Sequence, residues 1–435
     1  MKILIVTDNF VPEITAPSFR VRDHARVWLR HGHEVTVVTC APNWPYGNVF
    51  PGYRNRLYQE EWIGGIRVIR VWTYMAANRA FFKRVLDYLS FMVMVIVFSW
   101  RYPRFDVVLA TSPQFFTAVA GWAVSILRWR PWVFEVRDLW PASIRAVGSS
   151  SSRVLNWLER LELFLYRRAT RILVVTPAFR RDLVARGISA EKIDVVTNGV
   201  DGICFDRTAV DRDARTDLGI APDTFLTGYI GTTGMAHGLE ILLAAARELR
   251  DRRQIRFLIM GEGALRERLE ARARQMNLTN VQFCNRVPQA EVARYYAALN
   301  LSIVSLKPAP VFRTVIPSKL FELMAMEVPV VLAVEGEAAR VVGDARCGAL
   351  VPPGDARAMA RVVQRLSNDR RTLREMGRRG RRAVLEQYDR TVLALDALDT
   401  LHTALAAQRG TDNPQRRLVP RTMPPPEAPV PRRAA

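Results

Sequence analysis

The densest chemistry in the chain lies in residues 312–331, FRTVIPSKLFELMAMEVPVV. Pro317 and Ser318 suit the first positions of a helix, which runs on to Glu327 and Pro329. Exposed amides at such a start hold an anion, and Lys319 and Arg313 add positive charge. Glu322 follows Ser318 by four residues, one turn along the same face. A carboxylate there accepts hydrogen bonds from a diol such as ribose. Phosphate-binding amides with a diol acceptor one turn deeper make a nucleoside-diphosphate site. The spacing alone also fits an ordinary surface helix whose Glu322 is solvated.

Other spacings carry less. Gly261-Glu262-Gly263 follows a strand-like run and resembles half of a GxGxxG fingerprint, but Arg266 stands at the third glycine. A loop that lets a nucleotide approach closely fits it better than a dinucleotide fold. His237, in the glycine-bearing stretch 231–238, either touches phosphate or is simply exposed. Asp211-Arg212-Asp213 mimics a metal-binding acidic triplet, yet no strand adjoins it, so it reads as a solvated loop. The four cysteines stand at least 63 positions apart with no CxxC or Cys/His cluster, which argues against a zinc site or disulfide framework and fits a reducing cytosol.

The elements that position these residues alternate. With 435 residues, 49% of them hydrophobic and 24% charged, the chain is long enough for two packed domains and is not a mostly disordered one. Apolar runs at 2–7, 34–39, 66–71, 106–110, 132–136 and 171–175 read as buried parallel strands with helices between most of them. The pattern breaks at Asn198-Gly199, a turn at a domain linker, and restarts with strands at 225–230, 256–260, 281–284, 301–304 and 330–333. Two doubly wound α/β units follow: an N-terminal domain over 1–200 and a C-terminal one over 201–380. A helical segment at 381–408 is expected to return toward the N-domain, and 409–435, rich in Pro and Arg, reads as a disordered basic tail. A ligand belongs in the cleft where strand ends face each other.

The basic excess, 63 Lys and Arg against 42 Asp and Glu, gives a net charge of +21. It fits attraction to phosphates, but all but five of those bases are arginine, a skew that GC-rich coding also produces. The N-terminus MKILIVTDNF is too soon polar for a signal peptide. Residues 81–100, FFKRVLDYLSFMVMVIVFSW, are free of charge only over 90–100, too short to span a bilayer. A buried core helix and an interfacial helix with Phe91, Met92 and Trp100 facing lipid both fit, the second favoured by the flanking Arg79, Lys83, Arg84, Arg101 and Arg104.

The segment around Glu322 resembles the C-terminal domain of the large family 4 of retaining glycosyltransferases, which have the GT-B fold. Further matching pieces are VVTPAFRRDLVARGISAEKIDVVTNGVD, YIGTTGMAHGLEILLAAA, FLIMGEGALRERL, VQFCNRVPQAEV and GALVPPGDARAMA, so that the resemblance extends over most of residues 1–400. It implies a GT-B fold of two Rossmann-like domains, with donor contacts at Glu322, Ser318, Thr314, Gly231, Thr232, Thr233, His237, Gly261, Gly263, Arg286 and Val287. Three departures stand out. The family's first glutamate, assigned to the donor sugar, falls on Thr314; its Arg and Lys at the glycine loop appear as Thr232 and His237; its N-domain histidine appears as Arg137, followed by Asp138. These departures, with RDLWP and IPSKLFE, are similar to a WbuB/WcaI-like bacterial subgroup of fucosamine and fucose transferases.

The resemblance therefore implies transfer of a deoxy or N-acetylated hexose from a UDP-sugar to a lipid-linked oligosaccharide in O-antigen, capsule or exopolysaccharide synthesis. Lys319 and Arg313 would take the leaving diphosphate, no metal or other cofactor is expected, and Arg137 and Asp138 would face the acceptor. Asp138 either orients or deprotonates the acceptor hydroxyl or caps a helix. A polyprenyl-diphosphate carrier and peripheral attachment to the inner face of the cytoplasmic membrane complete the expectation. The residues leave open a non-hydrolysing UDP-sugar epimerase on the same fold and a nonspecific nucleic-acid binder; the latter lacks any RNP, KH, zinc-finger or helix-turn-helix signature, and no nucleic-acid partner is expected.

Overall fold

The computed structural model describes residues 1–44, 47–75, 81–112, 114–139, 152–210 and 214–410. The acidic triplet at 211–213 and the Pro- and Arg-rich stretch beyond 410 lie outside the described residues.

Two sheets organise the chain. The first contains β1 (Lys2–Val6), β2 (Glu34–Cys40), β3 (Tyr58–Ile63), β4 (Ile66–Val71), β5 (Val107–Thr111), β6 (Trp132–Val136), β7 (Arg171–Val174) and β8 (Ile193–Val195), in the order β3-β4-β2-β1-β5-β6-β7-β8. The second contains β9 (Phe225–Ile230), β10 (Ile255–Met260), β11 (Val281–Cys284), β12 (Leu301–Ser305), β13 (Val330–Ala333) and β14 (Gly348–Leu350), in the order β11-β10-β9-β12-β13-β14. Strands such as β5, β6 and β9 are buried at every residue, which is why their apolar runs show no alternation. Helices cover both faces of each sheet and divide the interior into four apolar clusters. The strand order reverses beside β1 in one sheet and beside β9 in the other, so each domain opens a crevice at the carboxyl ends of those strands.

One strand departs from the parallel reading. β3 pairs antiparallel with β4 at the edge of the first sheet. The turn between them is Gly64-Gly65, with φ +56° and +82°, and two positive-φ residues suit the twist of a tight hairpin. Its half-exposed sequence YQEEWI has too few apolar residues to register as a strand.

The chain crosses between the domains twice. After β8 it passes through Asn198 and Gly199 into the C-domain, and it returns at Asp389–Arg390. The two crossings bind each other: Val200 N donates to Tyr388 O and Arg390 N to Val200 O, both at 3.0 Å. A Cβ on Gly199 would lie 2.1 Å from Tyr388 O, so only glycine lets the strands of this hinge touch. The helix Arg370–Gln387 stays with the C-domain, where Gly377 and Gly380 allow it to lie against Glu327, Met324 and Cys347. The helix Arg390–Arg409 crosses to the N-domain and seals its core. Leu393, Ala394, Ala397, Leu398 and Leu401 pack with Ile3, Ile5 and Trp28, and Trp28 Nε1 donates to Ala394 O at 2.7 Å. A second junction joins Thr176 Oγ1 to Thr314 O at 2.8 Å and Arg181 to the buried Glu337 at 2.5 Å.

Candidate active site

The cleft between the domains is a cavity of about 650 Å³ whose C-domain wall is built around Gly231 and Lys319. Gly231 follows β9 directly at φ +142° and Gly261 follows β10 at φ +132°. A Cβ on Gly261 would stand 2.0 Å from Gly231 O, and one on Gly231 would stand 2.5 Å from Lys319 Nζ. Backbone thus packs on backbone, and the space left is filled by an amine.

That amine is buried and has no hydrogen-bond partner. It lies 3.6 Å from the centroid of the Tyr229 ring, whose face attracts the charged form. Burial pushes the Lys319 amine down to about 7, against a smaller upward pull from Glu322. The imidazole of His237, 5.6 Å from the same ring, is held down at about 4 by burial and then by Lys319. His237 is therefore a neutral donor or acceptor at physiological pH.

One turn past Lys319 on the helix Lys319–Ala325, Glu322 accepts a 2.9 Å hydrogen bond from the hydroxyl of Tyr296. Burial raises its carboxyl, partly offset by that bond. The tyrosine occupies one carboxylate oxygen of Glu322, a residue that lines the cavity. Ser318, exposed, does not cap the helix with its side chain.

The N-domain wall is differently equipped. Arg20, from the helix Ala16–Arg30, donates to Glu135 Oε1 at 2.7 Å, to Thr197 O at 2.5 Å and to Val196 O at 2.9 Å. Burial alone would raise Glu135, but Arg20, then Arg137 and His24, outweigh it and hold the carboxyl at about 2. Arg390 donates to Gly199 O at 3.1 Å and to Asp23 at 2.5 Å. Around these pairs the cavity is lined by Ile14, Phe19 and Trp44. Glu13, buried beneath, accepts from the amides of Asn43 and Trp44 at 2.8 and 2.9 Å and so fixes the loop that carries the tryptophan.

Comparison with known proteins assigns the two halves. Residues 15–199 match the Glycosyl transferase 4-like domain and residues 224–369 match Glycosyl transferases group 1, together about three quarters of the chain. The chain is a glycosyltransferase. It is 26% identical to the putative colanic acid biosynthesis glycosyl transferase WcaI of Escherichia coli K12 over 65% of this chain and 71% of that one. Its fold superposes on sucrose-phosphate synthase from Thermosynechococcus elongatus with a TM-score of 0.75 at 21% identity, covering 93% of this chain and 99% of that one. Anabaena HepE in complex with UDP-glucose superposes with a TM-score of 0.69 at 18% identity, covering 92% and 99%. The fold is GT-B, two Rossmann-like domains facing a cleft.

The glycosyltransferase brings most of the sequence-derived residues to the cavity. Glu322, Ser318, Lys319, Gly231, Thr232, His237, Gly261, Gly263, Arg286 and Val287 all line it. Thr233 does not: it is fully buried and its carbonyl carries the turn to Leu265. Arg313 does not either. Its exposed guanidinium pairs with Glu335 at 2.5 Å, because Arg313 O packs against Gly336 and turns the loop away from the cavity. Thr314 is held at the domain junction, its carbonyl on Thr176 and its hydroxyl on Val311 O. Arg137 is half-buried beside Glu135 with one guanidinium nitrogen unpartnered, and Asp138 is exposed; neither lines the cavity. Among the described residues no group of three or more His, Cys, Asp or Glu side chains is placed to hold a metal ion.

Sequence reasoning missed Tyr296, Arg20, Arg390 and Trp44. For Arg20 a signal existed: Arg20, His24 and Trp28 share one face of a helix whose apolar face must be buried, so two polar side chains there imply buried partners. Tyr296 and Arg390 reach the cavity through tertiary contacts alone.

Proposed function

We propose that this glycosyltransferase moves a hexosyl group from a nucleoside-diphosphate sugar, held on the C-domain wall, to a hydroxyl of a lipid-linked saccharide held against the N-domain, in the synthesis of a bacterial surface polysaccharide. The observation that carries the reading is the Lys319 amine, buried, unpartnered and set among glycine loops. Leaving a cation without a partner in a buried site costs free energy that a bound anion returns. A diphosphate supplies that charge, and Glu322 waits one turn deeper for the ribose hydroxyls. UDP-glucose on the same fold in HepE and the polysaccharide role of WcaI support the nucleotide and the pathway.

In the reaction the bond from the sugar C1 to the diphosphate oxygen breaks and its electron pair goes to the phosphate. Lys319 Nζ and the amides of Ser318 and Lys319 stabilise that charge as it develops. The acceptor oxygen then bonds to C1 from the same face, and a phosphate oxygen takes the acceptor proton. Configuration is retained, and no side-chain base is required at the position held by Arg137. The charge is met by the protein's own donors, so the reaction runs without metal.

The test is a panel of UDP- and GDP-sugars with native membranes as acceptor source, read by released nucleotide and by labelled lipid product, with and without EDTA. One donor should give both signals, unaffected by EDTA. Isomerised nucleotide-sugar without acceptor, or strict metal dependence, overturns the reading.

A further inference from the structure

Three helices form one outer layer of the N-domain: Phe81–Val97, Phe115–Leu127 and Ser152–Arg168. They pack in a row, the second touching both others, with Trp122 edge-on to Phe164 at 5.2 Å. Their inner faces are core: Phe91, Val95, Ala118, Val124, Leu158 and Leu165 belong to one apolar cluster. The sequence-based expectation that Phe91 faces lipid is thereby corrected, since Phe91 is fully buried and Met92 half-buried.

The outer faces are apolar as well. Leu86, Val93, Val97 and Trp100 recur at intervals of seven, four and three, the spacing of one helical stripe, and all are exposed. The second helix ends in exposed Ile126 and Leu127 with Trp129, 85% exposed, just beyond, and the third adds Trp157 at 58%. Large apolar side chains scattered singly need no partner, but a stripe ending in Trp100 and continued by Trp129 and Trp157 beside the adjacent helices marks an interaction surface.

Charge decides what it meets. In these helices and the turns that follow them, the exposed charged residues described are Lys83, Arg84, Arg101, Arg104, Arg130, Arg153, Arg160, Arg167 and Arg168. Every one is a cation. The carboxylates of the same segments are withdrawn: Asp87 and Glu162 are buried, and Asp106 and Glu159 are half-buried. Tryptophans beside arginines on a surface too shallow to span suit the headgroup region of a bilayer. Among the described residues no helix is long and apolar enough to cross one.

We infer that this three-helix face, anchored by Trp100, Trp129 and Trp157, docks the enzyme onto a bilayer bearing anionic phospholipid. The inference deepens the lipid-linked-acceptor reading by naming the face that meets the lipid. The face also leads to the cleft. Thr73, just past β4, bonds Asp87 Oδ1 at 2.7 Å, which pins the first turns of Phe81–Val97 to the carboxyl edge of the sheet, where the cavity opens. A headgroup at that end is presented to the N-domain wall.

Flotation of the full chain with phosphatidylcholine vesicles, with and without phosphatidylglycerol, tests it. Wild type should float only with phosphatidylglycerol and release at high salt. Replacing Val93, Val97, Trp100, Trp129 and Trp157 by Ser should lower the bound fraction at least about tenfold. Thermal melting and acceptor-free donor hydrolysis should stay unchanged, because these side chains contribute little to the core. Trp62→Ser, equally exposed but on edge strand β3, should float as wild type does. Wild type failing to float, the five-residue variant floating like wild type, or that variant merely dissolving a concentration-dependent dimer each overturns the inference. Transfer to detergent-solubilised lipid acceptor is read separately: its loss alone counts against the glycosyl-transfer reading, not against the docking face.

Discussion

The two walls of the cleft treat charge in opposite ways. On the C-domain wall Lys319 is buried with nothing to pair it, next to a carboxylate that already has a tyrosine. On the N-domain wall Arg20 is matched to Glu135 and Arg390 to Asp23, and apolar Ile14, Phe19 and Trp44 fill the space between. Arg137, with one nitrogen unpartnered beside Glu135, does not line the cavity and so belongs to neither wall. The first wall is incomplete without an anion. The second has its ion pairs complete, and a neutral, hydroxyl-bearing partner would cost it none of them. On the proposed reading, donor and acceptor would be separated by electrostatics before either binds.

Substitutions that cut across this difference should give opposite phenotypes. The largest effect belongs to the completed wall: Arg20→Met leaves Glu135 buried without its main cation and should cost about 3–5 kcal/mol of stability. Urea unfolding should show the loss, while nucleotide affinity of the folded fraction holds. On the incomplete wall Lys319→Met should leave stability intact or raised and cut kcat by about 10²–10³-fold, because leaving-group charge peaks in the transition state. Equal kcat in a folded Lys319→Met protein would remove the basis of the comparison. Glu322→Gln should raise the donor KM by about ten- to hundredfold, as expected for a charged hydrogen bond to a diol, measured with the preferred donor.

The pH profile sharpens the same contrast. Lys319 is charged only below about 7 in the free enzyme, so kcat/KM for the donor should fall as pH rises through about 7. A bound diphosphate favours the charged amine, so the limb in kcat should lie at higher pH. Both limbs should vanish in Lys319→Met. The smallest effect is expected for Arg313→Ala: an exposed pair with Glu335 is worth about 0–1 kcal/mol, and turnover should change by less than about twofold.

How much of this the sequence shows depends on distance along the chain. Lys319 and Glu322 are three residues apart on one helix, and the loops at Gly231 and Gly261 each follow their own strand, so local spacing reveals them. The doubly wound folds are legible for the same reason, since buried parallel strands appear as unbroken apolar runs. Arg313 was misplaced because its direction is set by contact with Gly336, 23 positions on. Tyr296 and Arg390 were invisible because only tertiary packing brings them to Glu322 and to the hinge. The helix Phe81–Val97 was half legible. Its composition shows that it is apolar, but only the structure shows which residues, Phe91 and Val95, are claimed by the core and which remain on the surface.

The last helix of the N-domain is also the last described element of the chain, and this orders events during synthesis. Trp28, Ile3 and Ile5 leave the ribosome early, yet the Leu393–Leu401 face that covers them is translated only after the whole C-domain. At 5–20 residues per second, the roughly 200 residues between β8 and Arg390 take about 10–40 s. Through that interval the nascent N-domain carries an open apolar groove, while the C-domain, whose strands and helices are contiguous in sequence, is free to close first. The domain made second is the one expected to finish folding first, and a chaperone that shields the groove has its window between the two crossings of the hinge.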